Sequence, residues 1–285
     1  MNAGEYRAWK MTFHKAPVPE GVGGLLFLNG CQGIYEVTPT QWEVYFPVTL
    51  PSDQLAALRE RLLNQFSGVI ATIEEETVPN TDWNARWRQY FKPFAVTEGL
   101  WVRPPWEVLP DNARGIEIII NPQMGFGTGH HESTCLLLQW MMTLPFRGKS
   151  VLDVGTGSGI LAILAHQLGA KRIVGVDIDA DAIANARENI ALNNATTIAL
   201  QVGDIHEVPE EAFDVILANI QLPVLQQLGE PFSRRLTPNG IVLVSGLLNR
   251  DAGLLVPEYQ HYGLQFEEQR FLGEWVAEMY RKGLP

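Results

Sequence analysis

The sequence has few cysteines, no metal-binding pattern and no long apolar run. Its two cysteines, Cys31 and Cys135, lie far apart, so we expect neither a disulfide framework nor a zinc site and interpret both as small buried side chains in a reducing compartment. No apolar stretch reaches the roughly 18 residues needed to cross a bilayer. The first ten residues contain no apolar signal core. We therefore expect a cytoplasmic protein without membrane contact.

Positive charge is also scarce. The chain has 21 lysine and arginine residues against 32 aspartate and glutamate residues, which gives a formal net charge of -11. An acidic surface repels phosphate backbones, so we expect no nucleic acid partner. The same surface attracts basic proteins. The simpler interpretation is that the acidity only keeps the protein soluble. We expect a monomer whose macromolecular partner is a basic protein.

The length of 285 residues fits two domains, and the N-terminal part differs in pattern from the rest. Residues 1–78 are predicted to form a small α+β domain with strands at 24–28, 42–50 and 69–73 and a helix at 54–66. Five basic and nine acidic side chains leave this part a net charge of -4. It contains no catalytic constellation, so we interpret it as a substrate-recognition domain for a basic partner.

Residues 79–110 are dense in tryptophan and proline and are predicted to form a connector packed against the second domain. Asp82 is expected to cap a short helix within it. From residue 111 to 285, strands and helices alternate. Strands are predicted at 151–155, 172–177, 198–202, 213–219 and 241–245, helices at 159–168, 181–192 and 222–236, and a closing hairpin at 264–271 and 275–281. Near-continuous apolar strands are typical of a sheet covered on both faces, so we predict a doubly wound, seven-stranded Rossmann-like α/β sheet.

The strongest local signal is VLDVGTGSG, residues 151–159, between a predicted strand and a predicted helix. Glycines at 155, 157 and 159 let the backbone turn tightly and approach a ligand closely. Asp177 ends the second strand, where a carboxylate can accept hydrogen bonds from both hydroxyls of a ribose. The pattern predicts a site for a nucleotide-like ligand.

Two ligands compete for this layout. A dinucleotide site requires G-x-G-x-x-G, but Ile160 occupies the position of the third glycine. Asp153, at the start of the turn, suits a cationic ligand better than a diphosphate. S-adenosylmethionine has no phosphate and carries an amino group and a sulfonium, so the residues favour it over a nicotinamide dinucleotide.

Further motifs carry a family resemblance. DVGTGSG followed by GVDID resembles the first two motifs of class I methyltransferases. The upstream NPQMGFGTGHHEST, residues 121–134, and the downstream ANI, residues 218–220, resemble those of the ribosomal protein L11 methyltransferase family (PrmA). The likeness extends from about Trp83 to the closing EWVAEMYRK. Before it, the chain resembles the family only in size, position and α+β pattern.

The resemblance implies S-adenosyl-L-methionine as cofactor and a shell of cofactor-binding residues, namely Phe126, Gly127, Thr128, Gly129, Thr134, Asp153, Gly155, Gly157, Asp177, Ile178, Asp204 and Asn219. The loop 126–129 matches the segment that folds over the methionine end, and Asp177 matches the ribose contact. Asp204 is expected near the adenine amino group. Each has a simpler interpretation: Phe126 as core, Thr134 as an ordinary helix residue and Asp204 as a turn former. No metal is expected, because two adjacent histidines do not form a metal site.

Asn219 and Ile220 are the implied catalytic residues. The side-chain carbonyl of Asn219 and the backbone carbonyl of Ile220 would accept hydrogen bonds from an incoming amine and orient its lone pair. Many amine methyltransferases of this fold have Asn-Pro-Pro-Tyr here, whereas this chain has Asn-Ile-Gln-Leu, which favours a flexible alkylamine over a planar group. Gln221 departs from the apolar residue that the family more often has there, so we expect the acceptor channel to differ at this position.

The resemblance therefore implies a protein-lysine N-methyltransferase that transfers methyl groups to lysine side chains, and to the N-terminal α-amine, of a ribosomal protein, with L11 as the expected target. One alternative is an N-methyltransferase for another protein or for a small-molecule amine. A second is a cofactor-binding interaction protein without catalysis, and a third is a nicotinamide oxidoreductase, which Ile160 disfavours.

Overall fold

A computed structural model describes residues 5–79, 91–122, 129, 131–209 and 212–284. The chain divides into two compact units, Met1–Phe91 and Lys92–Pro285. Each unit has its own hydrophobic core. No helix in the described part of the chain is long and apolar enough to cross a membrane.

The N-terminal unit is a four-stranded antiparallel sheet with two helices. In chain order its elements are β1 (Glu5–Phe13), α1 (Glu20–Leu28), β2 (Gly33–Thr38), β3 (Gln41–Pro47), α2 (Ser52–Gln65) and β4 (Ile70–Pro79). The strand order is β2-β3-β1-β4. Leu55, Leu58 and Leu62 are buried on one face of α2, as the helical spacing predicts.

The strand predicted at 24–28 is wrong, because these residues lie in α1. A short apolar run fits a buried strand and a buried helix equally well, and only the wider spacing separates the two. Val22, Leu25 and Leu26 are buried at helical spacing. Strands β1 and β2 were not predicted, and the helix expected after Asp82 lies outside the described residues.

The second unit begins with a small three-stranded sheet. Its strands are β5 (Phe94–Thr97), β6 (Leu100–Arg103) and β7 (Ile116–Ile119), with β5 and β6 antiparallel and β7 parallel to β6. Residues 94–103 were assigned to the connector from sequence, and here they form strands inside this unit. The helix α3 (Glu132–Met141) follows.

The main sheet confirms the doubly wound, seven-stranded prediction. Its elements are β8 (Ser150–Val154), α4 (Ile160–Gln167), β9 (Arg172–Asp177), α5 (Ala180–Leu192), β10 (Ile198–Val202), a 3₁₀ helix (Ile205–Glu207), β11 (Phe213–Asn219), α6 (Leu222–Leu225), α7 (Gly229–Arg235), β12 (Leu236–Leu248), a 3₁₀ helix (Asn249–Asp251), α8 (Val256–His261), β13 (Leu264–Leu272) and β14 (Trp275–Lys282). The strand order is β10-β9-β8-β11-β12-β14-β13, with β14 antiparallel to both neighbours.

The single helix predicted at 222–236 is wrong. Two short helices, α6 and α7, replace it, and Leu236 already belongs to β12. Gly229 opens the second of them beside the rings of Tyr259 and Tyr262, which an added Cβ would meet at 3.3 Å and 2.9 Å. The break therefore depends on side chains from a later part of the chain.

The sheet topology fixes where a ligand can bind. Strand β8 pairs with β9 on one side and with β11 on the other, so the chain runs outward in both directions from this point. Side chains alternate between the two faces: Leu152 and Ile216 belong to one core, and Val151 and Leu217 belong to the other. Both faces are thus covered, and the open crevice lies at the carboxyl ends of β8 and β11.

Candidate active site

The glycine turn follows β8 at this crevice. Gly155, Gly157 and Gly159 all have left-handed φ angles, of 68°, 55° and 81°. A Cβ at Gly155 would lie 2.5 Å from Ile220 Cγ2, so the turn packs directly against the residue that follows β11. Glycine is required here both by the backbone conformation and by this close approach.

Asp177 is tied to this turn. Its Oδ2 accepts a hydrogen bond from the Gly157 N–H at 2.9 Å, and its Oδ1 accepts one from the Asp179 N–H at 3.0 Å. The carboxylate is half-buried, and each oxygen keeps a lone pair for a further donor. Two neighbouring ribose hydroxyls fit this acceptor pair. The next side chain, Ile178, is 78% exposed and can cover a flat ring.

Asn219 and Thr134 meet across the crevice. Asn219 Nδ2 donates a hydrogen bond to Thr134 Oγ1 at 3.0 Å, although the two residues are 85 positions apart. Thr134 is buried in the first turn of α3. Asn219 Oδ1 is also buried and has no hydrogen-bond partner among the described residues. A buried acceptor without a partner is rare, and it fits a site that a polar ligand completes.

Asp153 lies beneath the glycine turn and is fully buried. Its Oδ2 accepts hydrogen bonds from the Thr156 hydroxyl at 2.7 Å and from the Ala162 N–H at 3.2 Å. Oδ1 has no partner in the part of the chain that the structure describes. Burial raises the pKa of this carboxyl to about 7, and the hydrogen bonds oppose that shift. The side chain supports the turn from inside, and its predicted contact with the cofactor stays a prediction.

The start of α3 carries the end of the predicted cofactor loop. Gly129 has a φ of 87°, and a Cβ there would lie 2.9 Å from Ile160 Cδ1, at the start of α4. His131 caps α3 by accepting from the Ser133 N–H at 3.3 Å, and its ring lies against Trp275. Phe126, Gly127 and Thr128 lie outside the described residues.

Asp204 is exposed and caps the short 3₁₀ helix, where its Oδ1 accepts from the His206 N–H at 2.9 Å. This local role agrees with the simpler interpretation of Asp204 as a turn former. Its contact with adenine stays a prediction. No group of three or more histidine, cysteine or acidic side chains in the described ranges is arranged to hold a metal ion.

The structure thus brings most of the described site residues together in contacting pairs: Gly155 with Ile220, Gly157 with Asp177, and Thr134 with Asn219. Sequence reasoning missed Thr156 and the asparagines of α5, which hold the turn from behind. The sequence does contain a pattern that indicates the asparagines. They recur every fourth residue, at 185, 189 and 193, which predicts a polar line on one face of the helical stretch.

A doubly wound sheet with this glycine turn, an acidic residue closing the second strand and an asparagine closing the fourth defines a class I methyltransferase, which uses S-adenosylmethionine. The buried side-chain oxygen of Asn219, which has no hydrogen-bond partner among the described residues, fits the polar methionine end of this cofactor. Residues 32–283 match the family model of ribosomal protein L11 methyltransferase (PrmA). The chain belongs to the ribosomal protein L11 methyltransferase family.

Individual relatives agree with this assignment. A ribosomal protein L11 methyltransferase from Porphyromonas gingivalis is 36% identical over 247 residues, which are 85% of this chain and 84% of the relative. One from Pelobacter propionicus is 37% identical over 242 residues, covering 81% and 76%. The crystal structure of a ribosomal protein L11 methylase from Lactobacillus delbrueckii subsp. bulgaricus aligns with a TM-score of 0.63 at 31% identity, over 67% of this chain and 100% of that chain.

The raised pKa of Asp153 predicts a specific pH dependence of stability. With a pKa of about 7, this carboxyl keeps its proton in the folded protein over a pH range in which the unfolded chain, with the ordinary carboxyl pKa of 3.8, has already released it. The folded state therefore binds more protons between these values, and its stability falls as the pH rises through this window. Asp153→Asn removes the titration and keeps an acceptor for Thr156 and Ala162. We expect the stability of wild type relative to this variant to decrease from about pH 4.5 to about pH 7.5 in urea denaturation.

Asp214→Asn is the control for this measurement. The pKa of Asp214 is lowered, because the effect of burial is outweighed by hydrogen bonds from Ser150 and by the charge of Lys149. Its stability contribution is lost only when the pH falls below the normal carboxyl range, so the difference from wild type stays constant across the same window. A constant difference for Asp153→Asn as well would contradict the assigned proton.

Proposed function

We propose that this protein transfers methyl groups from S-adenosylmethionine to amino groups of ribosomal protein L11, on lysine side chains and on the N-terminal α-amine. The observation that carries the proposal is the buried, unpartnered Oδ1 of Asn219, which Thr134 holds at the mouth of the crevice beside the glycine turn. The target is taken from the names of the relatives, which are ribosomal protein L11 methyltransferases. We propose the cytoplasm as the compartment, because a ribosomal protein as target supports it.

The proposed cofactor roles follow from the positions of the residues at the carboxyl ends of β9 and β8. Asp177 accepts the ribose hydroxyls, Ile178 covers the adenine, and Asp204 accepts from the adenine amino group. The glycine turn, Gly155 and Gly157, approaches the methionine end, and Asp153 supports the turn from beneath. Thr134 and residues 126–129 are further proposed contacts of the methionine end. The bound cofactor supplies an activated methyl group on a sulfonium.

The acceptor roles belong to Asn219 and Ile220. A lysine amine with an unperturbed pKa of about 10.4 must lose a proton, which costs roughly 4.6 kcal/mol at pH 7. A site closed to water beside a positive sulfonium lowers that cost. The Asn219 side-chain oxygen and the Ile220 carbonyl oxygen then accept the remaining amine hydrogens and aim the lone pair along the methyl–sulfur axis.

The N-terminal unit is the proposed reader of the protein target. We propose residues 1–78 for this role, 79–110 as a connector whose strands β5 and β6 already belong to the second unit, and 111–285 as the methyltransferase domain. The net charge of -4 over residues 1–78 suits a basic target. In that stretch Lys10 pairs with Glu76 and Arg7 pairs with Glu75, so part of the available positive charge is neutralised within the sheet.

The function is tested by methylation of ribosomal proteins. We expect the purified protein, given labelled S-adenosylmethionine and ribosomal proteins from cells that lack this enzyme, to label one protein with the mass of L11. Wild type and Asn219→Ala are compared in the same reaction. Label on a different protein or on a small amine would contradict L11 as the substrate. Cofactor binding without any label would contradict the proposed methyltransferase activity.

Asn219→Ala is expected to lower the single-turnover rate of methyl transfer by about 100-fold or more, because the amine loses its orienting acceptor. The Kd for the cofactor should change much less. Thr134→Val is the matched variant, since it removes only the bond that holds the carboxamide, and we expect a smaller loss of about tenfold. A rate for Asn219→Ala within about threefold of wild type would mean that Asn219 only ends the strand.

Asp177→Ala is expected to weaken cofactor binding by roughly 10- to 100-fold, because charge-assisted hydrogen bonds to the ribose contribute about 1.5–3 kcal/mol. Calorimetry with S-adenosylmethionine and with its demethylated product measures the effect, and NAD should not bind either protein. Asp179→Ala, which removes the cap of α5 two residues later, serves as the control. Equal Kd values for wild type and Asp177→Ala would assign Asp177 a purely structural role.

A further inference from the structure

Helix α5 carries a line of buried amides that the methyl transfer itself does not use. Asn185, Asn189 and Asn193 are 6%, 0% and 8% exposed. Their spacing of four residues puts them on one face of the helix. Asparagine is neither a strong helix former nor a typical core residue, so three of them on a buried face require partners that no apolar side chain can provide.

Asn189 joins two segments that are remote in sequence. Its Oδ1 accepts a hydrogen bond from the Asn121 N–H at 2.8 Å, and its Nδ2 donates to the Ser158 carbonyl oxygen at 2.9 Å. The second hydrogen on Nδ2 points to Asn185 Oδ1 at 3.3 Å. Ser158 belongs to the glycine turn, and Asn121 lies two residues beyond β7, so one carboxamide joins the turn to the backbone that follows β7.

The same helix holds the end of the glycine turn by packing. A Cβ added at Gly159 would lie 3.3 Å from Ala186 Cβ, so helix and turn are already in close contact there. This contact fixes the distance between α5 and the turn. The hydrogen bond to Asn121 then fixes the start of the segment 121–134 relative to that turn.

We infer that Asn189 is a positioning residue for the cofactor site, which sets the separation between the glycine turn and the backbone at Asn121. The inference rests on the cofactor site of the proposed function. Only a carboxamide offers an acceptor and two donors on one short side chain, so neither leucine nor an ionised aspartate can replace it. The residue touches no reacting group and acts through the two backbones that it joins.

Asn193, the residue that caps the C-terminus of α5, provides a matched control. Its Oδ1 accepts from the Ile119 N–H at 2.8 Å, and its Nδ2 donates to the Ile119 carbonyl oxygen at 2.6 Å. Its side chain also bonds the carbonyl oxygen of Asn189 at 2.7 Å. Asn193 thus has the same side chain as Asn189 and is similarly buried. Among the described residues outside the helix, however, it bonds only Ile119 at the end of β7 and makes no hydrogen bond to the glycine turn.

The first test compares Asn189→Ala with Asn193→Ala in the full chain. We expect both to lose stability, but only Asn189→Ala to raise the Kd for S-adenosylmethionine, by about tenfold, with Asn193→Ala within about twofold of wild type. Hydrogen exchange at Asn121 should be faster in Asn189→Ala than in wild type. Equal Kd values for wild type and Asn189→Ala, or equal losses in the two variants, would overturn the inference.

A second variant keeps the test valid if the alanine variant does not fold. In Asn189→Asp, a protonated carboxyl can still accept from Asn121 and donate to Ser158, whereas an ionised one faces the Ser158 carbonyl without a proton. The partners Asn121, Ser158 and Asn185 are all neutral. We expect its Kd relative to wild type to be near one at about pH 5 and to increase about tenfold by about pH 8.

Asn193→Asp is measured in parallel, and its Kd relative to wild type should not change with pH. A pH-independent ratio for Asn189→Asp would overturn the inference. Wild type that fails to bind S-adenosylmethionine at all would contradict the proposed cofactor site instead, so the two failures are distinguishable.

Discussion

The left-handed glycine turn after β8 is the constraint on which the rest of the site depends, and two acidic side chains hold it from opposite sides. Asp153 holds the turn from inside the protein through Thr156 and the first turn of α4, and Asp177 holds it from the crevice through the Gly157 N–H. Carboxylates accept backbone N–H bonds strongly, and a turn with several positive φ angles has few internal hydrogen bonds of its own. The turn is therefore held by these side chains together with backbone hydrogen bonds from Gly155 and Thr156 to the Val176 carbonyl oxygen.

This arrangement explains why the site is distributed over the whole second unit. The turn packs against Ile220, and Ile220 follows the strand that ends in Asn219, whose amide is held by Thr134 from α3. Displacing any of these elements changes the position of the others. The same dependence extends outward to α5, where side-chain amides hold the backbone that leads into α3.

The sequence was informative where the residue type itself dictates the backbone. The glycines at 155, 157 and 159 predicted the turn, and the continuous apolar runs predicted the central parallel strands. The position of Asp177 at the end of β9 was also predicted. The sequence was uninformative where a contact joins distant residues, as with Thr134 and Asn219 or the rings beside Gly229. The run at 24–28 failed for another reason, because five apolar residues in a row fit a strand and a helix equally well.

Strand β14 lies between β12 and β13, and this order has a consequence for biosynthesis. Residues 275–282 follow all the other strands of this sheet in the sequence, yet they form an interior strand. Until these residues are synthesised, β12 and β13 have no common partner, and each presents an unpaired edge that can associate with other chains. The sheet is completed only after β14 has been synthesised, so the edge of β12 stays open to other chains for longer than any edge between strands that are adjacent in the sequence.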